Sequence, residues 1–133
     1  MTAYISIGYQ QRKNLSKELN AITGVLQQFH IEPFVFVDQY SFTADEEKQM
    51  MQQAMAAIDS CDLLIAETSE KGIGIGVEVG YAKAKGKPII YCRQQEAEHS
   101  TTVSGMSDFH LIYRDTEDLQ TKLNTILKSA IFQ

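Results

Sequence analysis

Residues 66–88, AETSEKGIGIGVEVGYAKAKGKP, hold five of the chain's eight glycines and two well-placed carboxylates, Glu67 and Glu78. A carboxylate at the mouth of a cleft, ionised yet partly desolvated, is what a nucleophile on an anomeric carbon needs. Glycines ahead of a helix let backbone approach a ligand and adopt unusual φ, and the helix start presents free N–H groups. The spacing puts Glu78 in the first turn of that helix, where the helix dipole favours the anion and burial opposes it. Two bland roles stand beside these: Glu78 as a plain complement to the helix N-terminus, and Glu67, at a strand end, as a satisfied structural carboxylate. The segment is no P-loop, because no Gly-Lys-Ser/Thr follows the glycines. Gly74, Gly76 and Gly80 give G-x-G-x-x-x-G, one residue longer than the dinucleotide fingerprint and after the third strand rather than the first. Gly80 and Ala84 share a face with Val77 and Tyr81, which reads as close packing on a sheet.

The elements that must position these residues alternate. Buried strands read over 3–8, 33–38, 62–67, 87–92 and 109–114. Helical spacing runs over 12–29, through Leu15, Leu19, Ile22, Leu26 and Phe29. A second helix over 43–59 opens on Thr43 and Glu46, a capping-box pair. A third follows the glycines and ends at Lys85-Gly86, where glycine suits a left-handed cap. A polar loop spans about 94–108, and a closing helix runs over 116–131. Strand–helix alternation of this kind implies one α/β domain over 1–133, with a five-stranded parallel sheet covered by helices on both faces. The flavodoxin-like (Rossmann-like) order 2-1-3-4-5 is the natural arrangement. It places a ligand beyond the carboxyl ends of strands 1 and 3, where Gly8-Tyr9 and the segment from Glu67 to Gly76 leave the sheet.

Bulk composition narrows the function classes. The chain has 133 residues, a net charge of −5 and no block of Lys or Arg. That argues against a grip on nucleic acid polymers and leaves a single nucleoside open. The apolar runs are short, so no segment is expected to span a bilayer, and Met1-Thr2-Ala3 leads into a strand without a signal peptide. A cytoplasmic protein is the expectation. Cys61 and Cys92 read as small buried hydrophobes. His30, His99 and His110 are scattered, no zinc spacing is present, and neither a metal nor a cofactor is expected.

Gly74-Ile75-Gly76-Val77-Glu78-Val79-Gly80-Tyr81-Ala82, followed by Gly86-Lys87 and preceded by DLLIAE, resembles the nucleoside 2-deoxyribosyltransferase family, which includes deoxynucleoside 5′-monophosphate N-hydrolases. The resemblance implies that Glu78 attacks C1′ of the sugar and displaces the base, after which a second base or water takes the sugar. It implies substrate-binding roles for Gly8, Tyr9, Gln39, Glu67, Gly72, Gly74, Gly76 and Ser104. Tyr9 would wall the base pocket and Gln39 would contact the base. Ser104, within TTVSGMSD, would reach a neighbouring subunit's site in a homodimer or larger homo-oligomer. Met50, Met51 and Met55 could line that interface, although packing on the sheet is their commoner role.

Two departures matter. Gly8, Gln10 and Gly72 stand where the hydrolases carry phosphate-binding residues, unless Arg12 or Lys71 substitutes. The Asp that serves the leaving base as acid in the family has no good match here, its spacing landing on or near Ala54. Three readings follow. The first is an enzyme acting on the N-glycosidic bond of a (deoxy)nucleoside or nucleotide. The second is a nucleoside- or nucleotide-binding module without turnover. The third is another nucleotide-processing α/β family, TIR-like or lysine-decarboxylase-like.

Overall fold

The computed structural model of the protein describes residues 1–8, 12–39, 41–129 and 132. Five parallel strands form one sheet: β1 (Thr2–Ser6), β2 (Glu32–Val35), β3 (Leu63–Glu67), β4 (Ile89–Gln94) and β5 (Phe109–Tyr113), in the order β2-β1-β3-β4-β5. The expected flavodoxin-like order is therefore the observed one. The helices are α1 (Ser16–Gln28), α2 (Phe36–Gln39), α3 (Glu47–Ser60), α4 (Ile73–Ala84), α5 (Thr101–Gly105) and α6 (Thr116–Leu127).

The strands carry apolar side chains on both faces, so the sheet is buried on both. Along β3, Leu63 and Ile65 point to one side, and Leu64 and Ala66 to the other. The first side packs α1 and α6, through Leu19, Ile22, Leu26, Leu119, Leu123 and Leu127. The second packs α3 and α4, through Ile58, Ile75, Val79 and Ala82. Helical spacing of three and four produces each of these stripes. The chain leaves β1 toward β2 on one side and returns to β3 on the other. The carboxyl ends of β1 and β3 therefore diverge into a crevice, where such sheets bind ligands.

Several boundaries shift from the sequence reading. The second strand stops at Val35, and Phe36–Gln39 turns into a short helix. The first helix begins at Ser16, and the closing helix ends at Leu127. The stretch read as a loop over 94–108 contains α5. The capping box forms as expected: the Thr43 N–H donates to Glu46 Oε1 at 2.9 Å ahead of a 3-10 turn, Ala44–Glu46, that leads into α3. Both cysteines are buried and unpaired. No helix of the described residues is long and apolar enough to cross a membrane.

Two glycines should respond to alanine in opposite senses. Gly86, with φ of 73°, caps α4 in the left-handed region, and a Cβ there meets nothing within 4 Å. Gly86→Ala should therefore cost only the backbone strain, about 1–2 kcal/mol. Gly24, inside α1, also has open space around a built Cβ. Gly24→Ala should stabilise by about 0.5–1 kcal/mol. Urea unfolding of the two variants beside the parent chain reads both.

Candidate active site

Ile75, Val79 and Ala82 form the buried stripe of α4, and Glu78 lies between them at the i+3 position from Ile75. A carboxylate inside an apolar stripe is turned toward the sheet, not toward water. The strand it meets supplies the donors. Along β1, alternation sends Ala3, Ile5 and Ile7 to the α1/α6 side and leaves Tyr4 and Ser6 on the side of α4. The Tyr4 hydroxyl donates to Glu78 Oε2, and Ser6 Oγ donates to Oε1 at 3.2 Å. Burial lifts the Glu78 pKa above the ordinary carboxylate range, and the two hydrogen bonds pull it part of the way back. Burial, with the facing Glu78 charge, pushes the Tyr4 phenol well above its usual range, so it stays a donor.

Glu78 is not where the spacing put it. The helix starts at Ile73 with Gly72 as N-cap, which leaves Glu78 in the second turn. The dipole term fades beyond the first turn, so the two hydroxyl donors, not the helix end, hold the carboxylate. The glycines also act differently from the expectation. Gly74 and Gly76 are ordinary helical residues, and Gly86 is the one glycine with positive φ among the described residues. A Cβ on Gly74 would stand 4.0 Å from Glu78 Oε1, one helical turn away, whereas one on Gly76 would meet nothing within 4 Å. Val77 and Ala84 face solvent, which corrects the reading of their face as sheet packing.

Glu78 opens into a cleft of about 550 Å³ at the switch point. Gly8, Gly72 and Gly74 line it. Phe36, Val37, Ser41, Phe42, Met50, Met51 and Ala54 form much of the remaining wall. The Phe36 and Phe42 rings stack with centroids 6.2 Å apart. Met50 and Met51 thus face the cleft, and Met55 packs into the core beneath α3. Glu70 and Lys71 complete the lining, with Lys71 3.0 Å from Glu98. A second hollow of about 400 Å³ adjoins across Glu70, Lys71 and Gly72 and reaches Ser100, Thr101 and Thr102.

Four sequence candidates do not line the cleft. Glu67 extends to the opposite face of the sheet, 1% exposed. There its carboxylate accepts from Tyr113 Oη and from the Ser69 N–H, each at 2.6 Å. Burial raises its pKa against these hydrogen bonds. It is a satisfied structural carboxylate, because alternation along β3 sends residue 67 the same way as Leu63 and Ile65. Gln39 is exposed at the end of α2, Gly76 lies within α4, and Ser104 sits in α5. Arg12 forms a two-point pair with Asp38, at 2.8 and 2.9 Å. Tyr9, expected to wall the pocket, lies outside the described residues. Tyr4 and Ser6 are the residues that sequence reasoning missed. The available signal was two polar groups two apart in an otherwise apolar buried strand.

A doubly wound α/β sheet with a half-buried carboxylate at its switch point defines a class of small-ligand proteins. Within it, residues 4–125 match the model of the nucleoside 2-deoxyribosyltransferase family, and the chain belongs to that family. A protein of Thermofilum pendens with the provisional name 2′-deoxynucleoside 5′-phosphate N-hydrolase 1 is 26% identical over 89 residues. That match covers 63% of this chain and 62% of the relative, so it spans less than two thirds of the relative's length. The fold is similar to the CMP N-glycosidase BcmB of Clostridium botulinum, with a TM-score of 0.72 and 21% identity over 96% of this chain and 100% of that one. It is also similar to the 2-deoxyribosyltransferase of Bacillus psychrosaccharolyticus, with a TM-score of 0.67 and 15% identity over 90% of each chain.

The two buried carboxylates should separate in mutation. Glu78's folded pKa lies above its unfolded value, so its contribution to stability is full below the unfolded pKa and is lost as pH rises through the folded one. Glu78→Gln removes that loss. Its melting temperature should exceed the parent's at neutral pH, and the gap should close as pH falls below the ordinary carboxylate range. Tyr113→Phe removes a donor from Glu67 and should cost about 1–3 kcal/mol in denaturant unfolding.

Proposed function

We propose that the chain is an enzyme of the N-glycosidic bond, which cleaves or transfers the sugar of a nucleoside or nucleotide through Glu78. One observation carries this: a half-buried carboxylate, fixed by two hydroxyl donors, opens on a cleft of nucleoside size. The family supports it, and so do the activities named for the Clostridium and Bacillus proteins.

In this reading a Glu78 oxygen attacks C1′ as the C1′–N bond breaks, and the bonding pair leaves with the base. Water or an acceptor base then attacks C1′ and frees the carboxylate. Tyr4 and Ser6 keep Glu78 aimed and share its charge. Gly74 keeps its near oxygen uncovered. Phe36, Phe42, Met50 and Met51 offer a surface on which a flat heterocycle can lie. The activity requires ionised Glu78, so the rate rises with pH through its elevated pKa, the opposite sense to the stability term. Ser104 belongs to the same reading: it does not line its own chain's cleft, and in a homo-oligomer it would reach that of a second copy.

A second reading has its own support. The α3 wall of the cleft is apolar at Ala54, where a group able to protonate a leaving base would be useful. A binding module without turnover fits that wall.

Chromatographic assay of free base tests both. The panel covers deoxynucleosides, ribonucleosides and their 5′-monophosphates, with and without an acceptor base. Glu78→Ala should lower release by roughly a thousandfold or more while the fold persists. Equal release by that variant removes Glu78 from the reaction. Melting shifts on the same panel, with no base formed, would establish the binding module. Light scattering should give at least a dimer, and a monomer at assay concentration removes the shared-site role of Ser104.

A further inference from the structure

Among the described residues, the cleft pairs a carboxylate with an α3 wall that offers no proton. Glu78 lies against Tyr4 and Ser6, and both hydroxyl hydrogens point to it. The α3 contribution is Met50, Met51 and Ala54, with Ala54 2% exposed. Among the described residues, the other charged groups of the lining are Glu70 and Lys71, both exposed at the rim. No described residue places a cation against Glu78 in an ion pair.

These features bear on the leaving group. A neutral base that departs without a proton leaves as an anion, which an apolar wall does not stabilise. A heterocycle that already carries positive charge departs as a neutral molecule and needs no acid. Its positive charge also complements the uncompensated Glu78 carboxylate, and its flat cationic ring suits the Phe36–Phe42 pair and the methionine sulfurs.

We propose that the cleft selects N-glycosides whose heterocycle is cationic, such as a pyridinium nucleoside or an N7-alkylated purine nucleoside. This rests on the reading of Glu78 given above. The step balances without a co-reactant. A Glu78 oxygen bonds to C1′, the C1′–N bond breaks, and its electron pair neutralises the ring as the heterocycle leaves. Water then adds to C1′, the carboxylate departs, and the water's proton passes to solvent.

The test compares 7-methylguanosine with guanosine, and nicotinamide riboside with cytidine, using free base released by the wild-type chain and by Glu78→Gln. Deoxy and 5′-phosphorylated forms run alongside where they are stable. Each rate is divided by the uncatalysed rate of the same compound, so the intrinsic lability of cationic glycosides cancels. The expected acceleration is a hundredfold or more greater for the cationic members, roughly the worth of a general acid, and is lost in Glu78→Gln. Activity on 7-methylguanosine alone would assign the site to cationic purines, and on nicotinamide riboside alone to pyridinium rings. Ala54→Asp, checked for folding by circular dichroism, should raise release from the neutral members and so narrow the gap between them and the cationic ones. Glu78-dependent release with equal or greater acceleration for the neutral members overturns the proposal and leaves the glycosidase reading intact. Release from no compound overturns both.

Discussion

The carboxylate of Glu78 is held out of water on the sheet-facing stripe of α4, and the organisation of the site follows from how that cost is met. An ionised carboxylate taken from water must find donors in the protein or take up a proton. Here the donors come from another element, the hydroxyls of Tyr4 and Ser6 on β1. The interaction therefore fixes α4 against β1 as well as fixing the carboxylate. β1 is the inner strand at the switch point, next to both β2 and β3.

That constraint bears on one glycine. A helix that carries a carboxylate toward a sheet can cover it with the residue one turn earlier, since i and i+4 stack on one face. Gly74 is that residue, and the nearest heavy atom to its absent Cβ is a Glu78 oxygen. Gly86 is different. Its positive φ ends the helix and turns the chain into β4.

The sheet order and the four long helices were legible in the sequence, because strands and period-3.6 helices alternate and the topology rules leave few arrangements; the short α2 and α5 were not. The helix ends were less so. Strand β2 stops at Val35 although Phe36 and Val37 continue the apolar run, because the chain there turns into α2 to roof the cleft. The site was legible in part. Glu78 stands out through its glycine surroundings, and Gly8, Gly72 and Gly74 through their place at strand and helix ends. Tyr4 and Ser6 were hidden, because a Tyr and a Ser in a short strand read as packing until the face they share is known. Phe42, Met50 and Met51 were hidden for another reason. They reach the cleft because α3 and the segment before it pack beside α4, and no local pattern encodes that packing.

Glu67 and Glu78 show where such reading must stop. Both follow apolar residues, both flank the glycine segment, and burial raises the pKa of both. Their environments differ by one structural fact. Residue 67 continues the β3 alternation to the α1/α6 side, where Tyr113, Ser69 and Cys92 surround it. Residue 78 comes from the helix that covers the other side, next to the crevice. A buried carboxylate that accepts from a phenol and a backbone N–H inside a closed core has no route to a substrate, whatever its pKa. A carboxylate with similar donors at a cleft keeps one side open to whatever enters it. The perturbed pKa therefore identifies burial, and the open side decides chemistry.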